Sequence, residues 1–332
     1  MFAAHPRITC SLMLGVVLTL CAPARGEEVP NYPVKPIRIV NPDLRQGTLG
    51  RVMPFVFDKL STRLKQPVQM DHGGRFKAIG PAARSSADGH TLVLGGPNWL
   101  VIAPLITKPS PFDVLRDFEA TGQLGRITLV FVIHGSVPAK SLADLIERAR
   151  GTTFTYSGNK VCGISAIPME LLNSMAGTKF SCVVASGMEF VNVVNGETQT
   201  QLYPLTGLWP AIKSGKVRAM AVSGAQRSSL LPDVPTFTEA VVPGYVYENW
   251  FGLFAPIKTH RSIISRLNAE IVSILSEPGF RKSINDGVAR GLMESGLDFV
   301  SGAPEDFAVQ VRGDYDRLSK LVPTLNLPYL TE

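Results

Sequence analysis

Charged side chains are scarce in this chain: Asp, Glu, Lys and Arg make up 18% of its 332 residues, where about a quarter is usual. Apolar residues nonetheless reach 45%, so the disordered class, which combines low hydrophobicity with high charge, is excluded. No Lys/Arg run with interleaved aromatics occurs; the basic residues Arg148, Arg150, Lys213, Lys216, Arg281 and Lys282 are scattered, which argues against nucleic acid as a partner. Four cysteines, Cys10, Cys21, Cys162 and Cys182, leave no Cys-x-x-Cys pair. A thiol redox motif is thereby excluded. The histidines past the N-terminus, His72, His90, His134 and His260, stand far apart, so no metal site is expected and His72 reads as a loop hydrogen-bonder. There is no Gly-x-Ser-x-Gly elbow, Walker loop or paired-carboxylate pattern, hence no catalytic residue and no cofactor is assigned.

Only one apolar run is long. Arg7 precedes residues 8–22, short for a membrane span of roughly 20 residues, and Ala22-Pro23-Ala24 or Ala24-Arg25-Gly26 offers a small-residue cleavage site. Residues 1–26 read as a secretory signal peptide, which places the mature chain in the periplasm. A lipid anchor at Cys21 is the rival reading, weakened by the bulk of Leu20 before it. Cleavage removes two arginines and no acid, leaving 31 basic against 27 acidic residues, a mild +4 that suits anionic ligands only as a tilt. Cys162 and Cys182 remain. An oxidising compartment permits a disulfide between them; the other reading, two small buried thiols, stays open until their separation is known.

Past the linker prolines Pro33 and Pro36, strands and helices alternate. Strands are expected at 37–40, 68–70 and 91–94, with helices at 50–64 and 78–84. The stretch 122–133 contains the apolar run 129–133. Ser141, followed three residues on by Asp144, starts a helix with Leu142, Leu145, Ile146 and Ala149 on one face. Strands at 153–157, 180–184 and 198–203 alternate with helices at 165–175, 188–194 and 206–213. An alternating strand at 217–222 and a Pro-rich connection lead to the aromatic run 249–256. A helix with Ile263, Ile264, Leu267, Ile271 and Ile274 on one face follows, then a final helix opening at Pro304 with Glu305 and Asp306 in its first turn. This alternation predicts an α/β layer architecture of about two domains.

The order Val217-Arg218-Ala219-Met220-Ala221-Val222, Arg227-Ser228, Leu231-Pro232-Asp233-Val234-Pro235-Thr236, Glu239-Ala240, Pro243-Gly244-Tyr245 and Trp250-Phe251-Gly252-Leu253-Phe254-Ala255-Pro256 resembles the extracytoplasmic solute receptors of bacterial tripartite tricarboxylate transporters, the Bug-type binding proteins. The resemblance runs over roughly residues 32–322. It implies a two-lobed type II periplasmic-binding-protein fold, each lobe a mixed, mostly parallel sheet flanked by helices. Lobe 1 would comprise 27–130 plus 252–332 and lobe 2 131–251, with interlobe crossings in 122–133 and at 250–256. It also implies a monomeric receptor, not an enzyme, that captures a small carboxylated metabolite by hinge closure and presents it to membrane permease subunits. The alternative is a receptor-derived sensor or interaction protein, with a sensor ectodomain as partner.

Ligands of open α/β sheets sit outside the carboxyl ends of strands. The resemblance carries a ligand set onto five such places: Asp43, Leu44, Arg45, Gln46 and Gly47; Gly96 and Asn98; Ser157, Gly158 and Asn159; Ser186 and Gly187; and Tyr203. The first loop departs from the family's Gly-rich pattern at Arg45 and Gln46, and Gly50 replaces an acid. Arg45 would grip an anion bidentately or stand as a solvated surface arginine; both readings remain open. The loop 71–77, with Arg75 and Lys77, is also altered. The turn at 156–159 matches the family up to Asn159 and then departs at Lys160, Val161 and Cys162, while Ser186-Gly187 and Tyr203 replace a family Lys-Gly and a frequent Asp.

Overall fold

The computed structural model describes Met1 and residues 31–42, 48–72, 76–158, 166–185, 187–280 and 297–325. The expected signal segment, the turns at 43–47 and 159–165, and Ser186 lie outside that set. Eleven strands are described: β1 (Ile37–Asn41), β2 (Val68–His72), β3 (Thr91–Gly95), β4 (Phe118–Ile127), β5 (Leu129–His134), β6 (Phe154–Gly158), β7 (Phe180–Val184), β8 (Thr200–Pro204), β9 (Val217–Val222), β10 (Asn249–Pro256) and β11 (Leu297–Phe299). They form a six-stranded sheet ordered β11-β4-β10-β3-β1-β2, a three-stranded sheet β8-β5-β9 and a parallel pair β6-β7. The sheets are mixed, with a smaller parallel share than expected. Only β1-β2, β1-β3 and β6-β7 run parallel, because β10 enters between β3 and β4 antiparallel to both.

The first crossing between sheets falls within the expected stretch, and the second differs from the expected one. The stretch 122–133 is two strands: β4 ends in the large sheet at Ile127 and β5 begins in the small one at Leu129, so the chain passes over at Thr128. The second passage falls between Val222 and Asn249, and Trp250 to Pro256 lie wholly inside the six-stranded sheet. The misreading of the second has a simple cause. A central strand covered on both faces has the same unbroken apolar run as a buried connecting strand, and periodicity cannot separate them.

The local signals explain most helices. In Thr48–Leu64, Val52, Met53, Val56, Phe57, Leu60 and Leu64 are buried. Ser141 Oγ accepts from Asp144 N at 3.2 Å at the start of Leu142–Gly151, but Asp144 reaches back to Lys140 N (2.9 Å) instead of closing a capping box. A complete box stands at Phe237–Ala240: Thr236 Oγ1 accepts from Glu239 N (3.1 Å) and Glu239 Oε2 from Thr236 N (2.9 Å). The Thr-x-x-Glu spacing was there to be read. Pro304–Leu321 opens on Pro304, Glu305 and Asp306 and buries Phe307, Val311 and Leu318.

Three apolar clusters result. One lies between the large sheet and the helices Thr48–Leu64 and Arg261–Leu275. Another lies between β5, β9 and the helix Leu205–Lys213. The third runs through both sheets, from Val40, Val93 and Phe254 by way of Trp250, Tyr247 and Tyr245 to Phe131 and Tyr156. The two lobes therefore share buried aromatic residues beside the passages between them.

Candidate functional site

Strand directions decide which turns can meet. In the large sheet β10 starts at the passage with Asn249; β3, β1 and β2 run opposite to it, so their carboxyl ends come back to that edge. In the small sheet β5 starts at the passage with Leu129, and β8 and β9 run opposite to it and end there, at Pro204 and Val222. Thr155 and Ser157 of β6 lie beside Gln199 and Gln201, which makes β6 parallel to β8. The described carboxyl ends of β1, β3, β6, β7 and β8 thus all lie toward the junction of the two sheets.

The lobe-1 wall is built closely. A Cβ at Gly96 would fall 2.6 Å from the Trp250 carbonyl oxygen, so only glycine lets the chain after β3 pass beside β10. The wide helical turn Asn98–Ile102 follows. Asn98 Oδ1 accepts from the Tyr247 hydroxyl at 3.1 Å, which ties this wall to the second connection. Burial holds that phenol protonated: its pKa is raised mainly by desolvation, then by Asp314, against Arg317.

On lobe 2 the unusual feature is how β6 is held. Among the described residues, the backbone bond from Gln199 N to Thr155 O (3.1 Å) is not continued as a ladder between β6 and β8. Instead the Gln201 side chain serves as a rung: its Oε1 accepts from Ser157 N (2.9 Å) and its Nε2 donates to Ser157 O (3.0 Å), both buried. Gln199 Oε1 does half of this for Thr155 N at 2.8 Å, in an exposed position. Ser157 is 1% exposed, and its Oγ has no hydrogen-bond partner. Gly158 O accepts from Ala185 N (2.8 Å), closing the β6-β7 edge. Tyr203 packs on Phe190, 5.3 Å between ring centroids, with Gly207 beneath it. Burial first, and then the Glu189 carboxylate, raise its pKa, so its hydroxyl is a neutral donor. Cys182 is disulfide-bonded, and its partner lies outside the described residues.

The passages are stitched together. Ser223 N donates to Leu129 O (3.0 Å), Tyr247 N to Ser223 O (2.8 Å) and Ser223 Oγ to Tyr247 O (2.7 Å). The last helix grips the second passage through three residues on one face. Gln310 Nε2 donates to Glu248 Oε2 at 3.0 Å; Asp314 Oδ2 accepts from Trp250 Nε1 at 2.7 Å; and Arg317 donates to Val246 O and, at 2.5 Å, to Asp314 Oδ1. Glu248 also faces Arg126 at 3.6 Å, on the strand entering the first passage. Burial raises the Asp314 pKa, against the Trp250 and Arg317 contacts that lower it. Sequence reading missed these residues, although the 310, 314, 317 spacing beside the buried 307, 311, 318 stripe was visible.

Of the predicted set, Gly96, Asn98, Ser157, Gly158, Gly187 and Tyr203 are described, at or shortly past the carboxyl ends of β3, β6, β7 and β8; Gly187 is exposed, with nothing within 4 Å of where a Cβ would stand. Asp43, Leu44, Arg45, Gln46, Gly47, Asn159, Ser186 and Cys162 lie outside the described residues. Among the described residues there is no cluster of three or more His, Cys, Asp or Glu able to hold a metal, and no helix long and apolar enough to cross a membrane.

Residues 52–322 match the family described as "Tripartite tricarboxylate transporter family receptor". The chain belongs to that family. BugT of Bordetella pertussis is 28% identical over 267 residues, covering 78% of this chain and 82% of that protein. Among solved structures, R. palustris Rpa4515 with adipate is 25% identical with a TM-score of 0.71, covering 88% of this chain and 98% of that one. A TctC solute-binding protein from Polaromonas, with no ligand, is 17% identical with a TM-score of 0.74, covering 89% and 100%; it bears on the fold alone. This tripartite tricarboxylate transporter receptor thus has the two-lobed α/β fold of the periplasmic binding proteins, and it is a solute receptor, not an enzyme.

Proposed function

We propose that this receptor captures a small carboxylated solute in the periplasm, after loss of residues 1–26, and presents it to the permease of a tripartite transporter. The cleft closes on the solute by rotation about Thr128 and residues 223–248. The observation that carries the reading is Ser157 Oγ, a buried hydroxyl without a partner at the carboxyl end of β6. Buried polar groups are nearly always satisfied, and a solute carboxylate would supply the missing acceptor. The helix Ile167–Ala176 opens on Ala166, which has no side-chain cap, and Pro168 in its first turn has no N–H, so the Ile167 and Met169 amides are the ones that suit an acid. Rpa4515, 25% identical, carries adipate.

The test is a thermal-shift panel of mono-, di- and tricarboxylates, aromatic acids and amino acids on the mature chain. A binder at one hundred times its Kd adds about 2.7 kcal/mol; silence across the panel sinks the proposal. Ser157→Ala separates the ligand role from a structural one. Removing an unsatisfied buried hydroxyl is expected to leave the free protein as stable or about 0.5–1 kcal/mol more stable. The same change weakens a bound acid about tenfold, the worth of one charge-assisted hydrogen bond. Loss of stability in the free protein with unchanged affinity would refute that role.

A further inference from the structure

We infer that Tyr247 is a positioning residue for the solute: its hydroxyl fixes the Asn98 side chain so that the amide NH2 is offered to a solute oxygen from the lobe-1 wall. The inference rests on the proposed capture of a carboxylated solute and deepens it, giving that solute a second contact of stated polarity.

The polarity follows from which atom must accept. Tyr247 is 3% exposed, and its hydroxyl meets one partner, Asn98 Oδ1, at 3.1 Å. Burial keeps the phenol protonated, so its hydrogen needs an acceptor. Asn98 supplies one only through Oδ1. With the amide turned over, the hydroxyl hydrogen would be sealed in without an acceptor, an arrangement that buried polar groups avoid. The amide orientation is therefore set, and with Oδ1 taken the two N–H groups of Nδ2 remain. They make no hydrogen bond within the described residues, and Asn98 is half-buried, so water serves them until a solute arrives.

Tyr247 is itself held in place. Its N donates to Ser223 O and its O accepts from Ser223 Oγ, just past the end of β9. On either side, Arg317 and Gln310 of the last helix hold Val246 O and Glu248, and the Tyr245 hydroxyl donates to Pro168 O at 2.9 Å. Asn98 follows Gly96 and Pro97 after β3, whose carboxyl end lies toward the junction of the sheets, and Gly96 passes close beside Trp250 O. A side chain fixed in this way before binding loses little rotamer freedom on binding. A neutral NH2 suits a carboxylate, carbonyl or hydroxyl oxygen and has no acceptor for an ammonium group.

Titration calorimetry on the full mature chain tests this with the mono-, di- and tricarboxylates of the panel, adipate among them. Asn98→Ala is expected to weaken a bound acid about tenfold and Tyr247→Phe about threefold to tenfold. The double variant is expected to bind no more weakly than Asn98→Ala alone, because Tyr247 acts through Asn98; a hydroxyl that only supported the fold would add its own loss. Asn98→Asp keeps the shape of the residue and an acceptor for the Tyr247 hydroxyl, so the free protein is expected to fold, but it turns an anionic acceptor toward the solute. It is expected to weaken the acid by about a further threefold beyond alanine. An affinity equal to wild type in Asn98→Ala or Asn98→Asp, or losses for Tyr247→Phe and Asn98→Ala that add, overturns the inference while carboxylate capture stands. Failure of every acid in the panel on the wild type overturns both.

Discussion

Gln201→Ala is expected to lower the free energy of unfolding by about 3–5 kcal/mol. The side chain satisfies a buried N–H and a buried C=O on Ser157, and each group left without a partner costs about 1–3 kcal/mol. The exposed Gln199, whose side chain meets only the N–H and hydroxyl of Thr155, provides the control: Gln199→Ala should cost about 1 kcal/mol or less. Gln201→Glu is the sharper case. Its carboxylate keeps an acceptor for Ser157 N but sets an oxygen against Ser157 O, so at neutral pH it should be no better than alanine. Urea unfolding of the three variants decides; a loss below about 1 kcal/mol for Gln201→Ala would mean that β6 is held by its pairing with β7 and by packing. Because β6 carries Ser157, the same variant is expected to lose solute affinity even where it stays folded.

The second large effect belongs to Asp314. Asp314→Ala leaves the Trp250 indole N–H without its acceptor and Arg317 without its counter-charge, in a place where Arg317 Nε already lacks a partner. Removing one member of a buried pair costs about 3–5 kcal/mol. Arg317 is 32% exposed, so about 2–3 kcal/mol is expected here, a melting point lower by roughly 5 °C for a chain of this length. Asp314→Asn keeps an acceptor for Trp250 and should recover about 1 kcal/mol. The pH dependence has a definite sign. Burial raises this carboxyl above its ordinary value, so the stability it contributes is complete below the unfolded-state pKa near 4 and is lost as pH rises through the folded one. Asparagine stays neutral throughout. Asp314→Asn should therefore compare better with the wild type at pH 7 than at pH 4, and the reverse order would show that Arg317, not burial, governs the group.

Much of the fold was legible because it rests on local chemistry. Pro304 with Glu305 and Asp306 announced the last helix, Ser141 announced Leu142–Gly151, and the stripe from Ile263 to Ile274 fixed which face of its helix is buried. What failed depended on partners distant in sequence. Trp250 to Pro256 looked like a strap between lobes because nothing in it says that β3 and β4 flank it. The strand ends that carry the candidate site could be named from topology, and the described carboxyl ends of β1, β3, β6, β7 and β8 do point to one junction. The Gln201 rung could not be named: a glutamine in a strand gives no sign that its amide stands in for a neighbouring backbone. Nor could the grip of Gln310, Asp314 and Arg317 on residues 246–250, where the pairings span more than sixty positions.

The slot filled by β10 has a consequence for how the protein is made. β3 and β4, its two neighbours in the finished sheet, leave the ribosome before the whole of the smaller lobe, and the slat that belongs between them arrives only afterwards. Until then both carry naked edges, the surfaces on which chains stick to one another. A nascent molecule halted before Asn249 is consequently a chain whose smaller sheet is complete while the larger one still waits, open, for the C-terminal quarter.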